Sequence, residues 1–428
     1  MNGGFSLKAH YDLIVAGGGF AGVGAAVAAA RQGLSVLLIE KNGFLSGSAA
    51  MSYVNPFMSQ FRISSVEGGK RTIPVNAGIF EEIRQELKAL GGMHENDRSF
   101  NMEILKIIMD RITKRAGVDV LFHAYITDCV TEDEKVKSLT VACRGRKYDF
   151  SADYFVDATG DANLACMAGC SCRLGRETDN LCQPMTLCFR LGEVDTDRFW
   201  DSLKDAQEIW KEKLQNNELF NPRENILAFK LIENGVIHLN TTRVVKKNPV
   251  DMLDLTQAEM LAREQMLEFL NFAREHIPGC ENAQLLASAP EIGVRESRMI
   301  DGEYTVQVEE FFKCVQFEDS IARGAYPVDI HSPDGSGTTI IKIPVGKHYT
   351  IPYRSLIPKA LKNLLVAGRC ISTTHEAQSA YRIMPICCCI GEGAGLALSL
   401  AVKNKLDDVR NIDIEKLHSV MDDCNVLY

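Results

Sequence analysis

An α/β fold built on a central parallel sheet is predicted by three features of the sequence. Residues 11–40 read as strand, glycine turn, small-residue helix and strand. Residues 118–156 read as a strand followed by an antiparallel meander. From Asn363 a short apolar strand and a second small-residue helix return to the opening pattern. With 428 residues, 46% of them apolar, the chain can bury a large core and form two or three domains.

The first unit is the most explicit. Residues 11–15 and 36–39 are apolar strands, and residues 20–32 are a helix of small residues. Between them Gly17, Gly19 and Gly22, with Phe20 and Ala21, fit the spacing G-x-G-x-x-G, and Glu40 follows the second strand. In this strand-to-helix context the spacing marks a dinucleotide site. Gly17 permits the tight turn, Gly19 lets backbone approach a pyrophosphate, and Gly22 lets helix and strand pack closely. The helix N-terminus offers unpaired N–H groups to phosphate, and Glu40 is placed to hold ribose hydroxyls.

Beyond Glu40 two amphipathic helices are expected in GIFEEIRQELKAL and NMEILKIIMDRITKRAG, then the strand VDVLFH. The runs YITDCVTED, VKSLTVACRG and KYDFSA form the meander, and residues 154–156 lead into Asp157-Ala158-Thr159-Gly160-Asp161. Residues 171–355 change character, with strand-like MTLCFRLG and GVIHLNTTRVV and a long helix near 256–276, before LLVAG and the helix after Pro385. The expected organisation is a nucleotide-binding domain over 1–170, a second domain inserted over 171–355, and a return to the first over 356–428.

A domain for NAD would continue βαβ after Glu40; the excursion, the meander and the late return point to FAD instead. Together these blocks resemble the FAD-dependent oxidoreductase superfamily of glutathione-reductase-like nucleotide fold. RESR with DGEY, FEDSIARG with AYPVDIH, and IPYRSLIP with NLLVAGRCISTTHEA resemble one branch of it, nearly end to end. The resemblance implies a Rossmann-like FAD/NAD(P)-binding fold with a central parallel sheet and a meander, plus an inserted mixed α+β substrate domain. It implies that Ala158, Thr159 and Gly160 pass the FAD phosphates and that Gly368 and Arg369 approach the ribityl chain. Lys41, Ser46, Gly47 and Ser48 would run from the ribose toward the ring, and Gly391 and Gly393 would open a helix facing the flavin's pyrimidine edge.

Flavin chemistry needs a substrate held against the ring, with its charges and one proton managed. Arginines suit a carboxylate. Arg295, Arg298, Arg323, Arg354 and Arg382 are candidates, with Arg298 and Arg382 the expected clamp. His331, His348 and His375 are candidate proton handlers; His375 is the best placed, with Glu376 beside it to orient it. No residue demands a covalent flavin bond. The 14 cysteines are read as mainly buried free thiols, and no cysteine precedes Cys129, which argues against a disulfide-reductase dithiol.

The expected function is therefore flavin hydride transfer with an unidentified small organic substrate, a carboxylate being the class the arginines suit. The alternatives are a flavin monooxygenase, against which Gly-Arg-Cys stands where hydroxylases carry Gly-Asp, and a non-catalytic binding or escort protein of the same fold. No second G-x-G-x-x-G follows a strand, so no dedicated NAD(P)H domain is expected, and the electron donor or acceptor is unidentified. The net charge of −9 with mixed signs argues against nucleic acid. The start lacks an apolar leader, and the most apolar window, 13–39, is interrupted by glycines, Arg31 and Gln32. A cytoplasmic protein without membrane partner, its oligomeric state open, is expected.

Overall fold

The computed structural model describes residues 7–58, 61–66, 69–335 and 337–428. Its opening unit is β1 (His10–Ala16), α1 (Phe20–Arg31) and β2 (Val36–Ile39), with β1 and β2 parallel. The short helix α2 (Ser48–Met51) and the hairpin β3 (Phe61–Val66) and β4 (Gly69–Pro74) follow. Next come α3 (Ile79–Ala89) and α4 (Met102–Ala116). The sequence sets the ends of α4: the Asn101 side chain accepts from the Glu103 and Ile104 amides, and Gly117 closes the helix in the left-handed region (φ 82).

β5 (Asp119–Leu121) joins the parallel sheet beside β2. The meander is β6 (Tyr125–Glu132), β7 (Lys135–Cys143) and β8 (Arg146–Asp157). Residues 147–152 and 154–156, read separately from sequence, are one 12-residue strand. Its first half pairs antiparallel with β7, and from Ser151 it runs parallel to β1. β19 (Leu364–Val366) returns late in the chain to pair parallel with Phe155–Asp157 of β8. β7 and β19 thus share one edge of β8. Asn363 fills the junction, accepting from the Val136 amide and donating to the carbonyls of Val136 and Asp153.

Between β8 and β19 lie α5 (Asn163–Met167), β9 (Cys172–Leu174), β10 (Phe189–Gly192), α6 (Thr196–Gln215), β11 (Ala228–Lys230), β12 (Ile237–Leu239), α7 (Met252–His276), β13 (Gln284–Ser288) and β14 (Arg298–Ile300). Strands β11, β12, β10 and β13 make an antiparallel sheet in that order. One face of it, with Phe189, Leu191, Ile237 and Leu239, packs on Phe199 and Trp210 of α6 and Phe269 and Phe272 of α7 in a core of its own. Arg190 and His238, paired across β10 and β12, alternate onto the other face. Helix α6 has no counterpart in the sequence reading.

The remainder of this segment packs elsewhere. α8 (Val308–Phe312), β15 (Ser320–Gly324), β16 (Val328–His331), β17 (Thr338–Ile341) and β18 (Tyr349–Pro352) bury Phe311, Ile321, Val328, Tyr349 and Ile351 in the same core as α1. That core is completed by α9 (His375–Tyr381), α10 (Met384–Asn404) and α11 (Ile414–Asp423). Among the described residues α10 alone is long and apolar enough to cross a membrane, and 94% of its apolar window is buried within the protein.

Candidate functional site

The C-terminal ends of β1, β8 and β19 lie side by side, because the backbone ladder continues past each strand: Ala158 N donates to Ala16 O (2.8 Å) and Ala367 N to Asp157 O (2.9 Å). Three loops therefore converge at one place, the usual ligand crevice of an open α/β sheet. The Asp157 carboxylate, fully buried, fixes the middle loop by accepting from Thr159 N (3.0 Å), Thr159 Oγ1 (2.7 Å) and Ala165 N (2.8 Å).

A cleft of about 1330 Å³, including its open mouth, runs over these loops. Gly17, Gly19, Phe20, Ala21, Glu40, Lys41, Ser46, Gly47, Ser48, Ala158, Thr159, Gly160, Gly368 and Arg369 all line it. Fourteen of the seventeen residues expected at the cofactor are thus gathered along one groove. The three glycines of the opening turn have different reasons to be glycine. Gly17 has φ +99, and a Cβ there would sit 2.6 Å from Ala158 O; at Gly22 it would sit 1.8 Å from Gly17 O. At Gly19 the nearest atom is 3.9 Å away and the backbone is extended (φ −71, ψ −175), so the protein itself leaves room for a side chain.

Gly22, Gly391 and Gly393 do not line the cleft. Gly391 and Gly393 also do not open a helix, because α10 begins at Met384 and both lie in its interior. Their smallness serves packing: a Cβ on Gly391 would lie 1.9 Å from Ala21 O on α1, and one on Gly393 would lie 2.9 Å from the Ile321 side chain. The end of α10 does reach the cleft, through Met384 and Cys387.

Glu40 is 4% exposed and doubly engaged by backbone: Oε2 accepts from Gly18 N (2.7 Å) and Oε1 from Asn42 N (2.8 Å). Arg369 pairs with Asp161 (2.6 Å), which Ser297 also donates to (2.6 Å). Burial opposes ionisation of Asp161, yet Arg369, Ser297 and Lys41 together hold its carboxyl below the ordinary range. Lys41 bridges the cleft to Glu291 (2.9 Å). Asp161, Asn163, Met51, Ser52, Glu291, Ile292 and Val294 line the cleft without having been singled out in the sequence. Only Asp161, inside the Asp-Ala-Thr-Gly-Asp run, carried a signal.

Of the three expected catalytic residues only Arg382 lines the cleft. Its Nε is buried and unpartnered, its Nη2 makes one long contact with Gln183 Oε1 (3.5 Å), and among the described residues no carboxylate stands within salt-bridge distance. The expected clamp with Arg298 is not the pairing the fold makes. Arg298, on β14 where it pairs with β9, donates to Asp161 O (2.8 Å) and to the Asn163 side chain, and does not itself line the cleft. Arg295 is the neighbour of Arg382: burial, then the charges of Arg382 and Arg223, pull its guanidinium down to about 9. Its nitrogens reach Pro184 O (2.6 Å) and Asn240 Oδ1 (3.2 Å), again with no carboxylate.

His375 is buried, and its partner is Glu296 (Nδ1 to Oε1, 2.7 Å) rather than adjacent Glu376. Burial works against its protonation, but the Glu296 carboxylate outweighs that and raises its pKa. Glu296 Oε2 accepts from Gln183 N (2.8 Å), so His375 connects to Arg382 only through Glu296 and Gln183. His331, beside Asp329 (3.5 Å), is held down at about 3 by burial and by Arg295. Arg323 donates to the Tyr428 backbone, and Arg354 lies over the Tyr304 ring (4.4 Å).

The family model described as FAD dependent oxidoreductase matches residues 12–421. No curated protein matches the chain. Among solved structures, a geranylgeranyl bacteriochlorophyll reductase-like protein from Thermoplasma acidophilum is 13% identical, covering 97% of this chain and 83% of its own, with a TM-score of 0.47. A flavin-dependent brominase is 14% identical (97% and 84%, TM-score 0.47), and glycine oxidase from Geobacillus kaustophilus is 12% identical (96% and 98%, TM-score 0.44).

Proposed function

The chain belongs to the FAD dependent oxidoreductase family and is an FAD-dependent enzyme; from that premise we propose that it transfers hydride between flavin and a small organic anion bound at Arg382. The residues present fit the cofactor. The vacant space beside Gly19, which nothing in the fold requires, suits close approach by a pyrophosphate. The first turn of α1 supports the same reading, since Phe20, Ala21 and Gly22 precede the first intrahelical bond, Val23 N to Gly19 O (2.9 Å), and keep free N–H groups. Ser46 Oγ and Arg369 Nε, buried and without partners, are further polar atoms suited to the ligand.

In this reading Glu40 holds the adenosine ribose while fixing the Gly18 and Asn42 amides, and Lys41, Ser46, Gly47 and Ser48 follow the molecule inward. Ala158, Thr159, Gly160, Gly368 and Arg369 line its middle, and the α10 end lies by the ring. Residues 7–170 and 356–428 belong to the FAD domain; of the expected insertion over 171–355, the part with its own core, residues 189–283, is the substrate domain, while α8 to β18 pack in the core shared with α1. When bound, FAD supplies hydride transfer at its ring. The chain contributes binding, orientation and charge. The positive end of α10 and Arg382 favour negative charge at the inner end of the cleft. Met51, Ile292 and Val294 give the cleft an apolar wall that excludes water.

One observation carries the choice of substrate: Arg382 and Arg295 stand together, neither in salt-bridge contact with a carboxylate, and Asp329 reaches Arg382 only at longer range, so the guanidinium that lines the cleft keeps donors for a substrate anion. His375 acts through Glu296, which accepts from the Gln183 backbone N–H and so holds the residue whose side-chain Oε1 meets Arg382. Anaerobic mixing of the holoenzyme with paired small acids and their neutral amides tests this. An acid that bleaches the flavin while its amide does not supports the reading; equal reduction by both refutes it.

A further inference from the structure

Helix α7 carries two apolar stripes, and the chain itself covers only one of them. Ala258, Ala262, Gln265, Phe269, Phe272 and Ala273 are buried along its inner side. Two residues beyond Ala258 and Gln265, hence about 200° round the helix, Met260 and Leu267 are 62% and 45% exposed. Leu253, seven residues before Met260, is 65% exposed. A surface helix ordinarily sets polar residues opposite its buried face. Apolar residues repeated there every seven positions are instead the seam of a helix that packs against another helix. Leu261 is exposed at the edge of this seam, and the exposed Phe220 is tied to the same helix, its N donating to Glu268 Oε1 (2.8 Å).

The charges within the stripe identify what covers it. Arg263 and Glu264 lie at its middle, both exposed. Arg263 pairs with Glu259 of its own helix (2.9 Å), and among the described residues Glu264 makes no ion pair. We infer that a second copy of this chain covers the stripe, the two α7 helices packing antiparallel about a twofold axis that passes between Arg263 and Glu264. That axis sets Met260 of one copy against Leu267 of the other, Leu261 against Met266 and Arg263 against Glu264, and symmetry makes each contact twice. Leu253 falls opposite the aliphatic stem of Arg274. Parallel packing would bring Arg263 to Arg263 and Glu264 to Glu264, like charges at the centre of the contact. Only the antiparallel arrangement makes the stripe complementary to itself in both its apolar repeat and its charge.

Sedimentation velocity of the holoprotein over a range of micromolar concentrations tests this. Wild type is expected to run at twice the mass of one chain. Leu267→Glu, at an exposed position outside the core beneath α7, is expected to run at the mass of one. Arg263→Glu puts glutamates opposite each other and is expected to weaken the dimer about tenfold. Adding Glu264→Arg reverses both members of each pair and is expected to restore the wild-type dissociation constant. A wild type that stays monomeric at the highest concentration, a Leu267→Glu protein as dimeric as wild type, or a double variant no tighter than Arg263→Glu overturns the assignment.

Discussion

Replacing Gly391 by alanine inserts one methyl group where two helices touch. The Cβ would stand 1.9 Å from Ala21 O, 2.6 Å from Ala21 C and 2.8 Å from Ala21 Cα, whereas ordinary contact begins near 3.4 Å. The helices must part by about 1.5 Å at this point, and no side chain can swing aside to relieve it. In an unobstructed helix interior the same change stabilises by about 1 kcal/mol. Overpacking costs about 1–3 kcal/mol and belongs at the upper end when the obstacle is backbone, so net destabilisation of about 2 kcal/mol is expected. The displaced residue adjoins Phe20, Gly19 and the cleft, so FAD affinity falls with stability. Urea denaturation of apo-protein together with FAD titration measures both. Gly393→Ala, whose Cβ would stand 2.9 Å from Ile321 Cβ and 3.2 Å from Ile321 O, serves as the milder control. A Gly391→Ala protein that is as stable as wild type and binds FAD normally refutes the packing argument.

Gly19→Val is expected to leave apo-protein stability within about 1 kcal/mol of wild type, since the nearest atom to its Cβ is 3.9 Å away, while abolishing FAD binding by filling the phosphate approach; calorimetry and FAD titration read the two separately. Glu40→Ala loses acceptors for Gly18 N and Asn42 N, hydrogen bonds to a charged group worth about 1.5–3 kcal/mol each, so it lowers apo-protein stability as well as affinity, as thermal unfolding without FAD will show. Glu392 is buried, which raises its carboxyl from 4.5 to about 8 despite a hydrogen bond from Ile79 N. The folded state therefore holds this proton longer than the unfolded state, and stability is present below pH 4.5 and lost as pH rises toward 8. Glu392→Gln should remove about 4 kcal/mol of that decline, measured by denaturation at intervals from acid to mildly alkaline pH.

The parts of this structure that were legible in the sequence are those written in local patterns. The β1–α1–β2 unit, α3 and α4 follow from periodicity, and Gly17 and Gly19 from the spacing of the opening turn, whereas Gly47, Gly160 and Gly368 are found only through the family resemblance. Helix α6 was also written, with Phe199, Ala206 and Trp210 spaced for one buried face, but the charged residues between them hid it. β8 reads as two runs because its partner changes from β7 to β1 midway, and sequence does not display partners. The same limit governs the site. Arg295 and Arg298 are three residues apart, yet Arg298, on β14, bonds the loop at Asp161 and Asn163 while Arg295 lies beside Arg382. The pairing of His375 with Glu296, rather than with its neighbour in sequence, likewise depends on two segments meeting in space. The far wall of the cleft, Ile292 and Val294, comes from a loop with no motif at all.

Arg382 lines the cleft without a carboxylate in salt-bridge contact, and spectral titration tests its proposed role as the anion site without a known substrate. Wild type and Arg382→Ala, matched in FAD occupancy, are titrated with small carboxylates such as acetate and benzoate and with the corresponding amides, following perturbation of the flavin spectrum. Loss of one charge-assisted pair, about 2 kcal/mol, predicts saturable carboxylate binding in wild type, about 30-fold weaker binding in the variant, and no response to the amides in either. Equal carboxylate dissociation constants for the two proteins would contradict the assignment of Arg382 as the anion site.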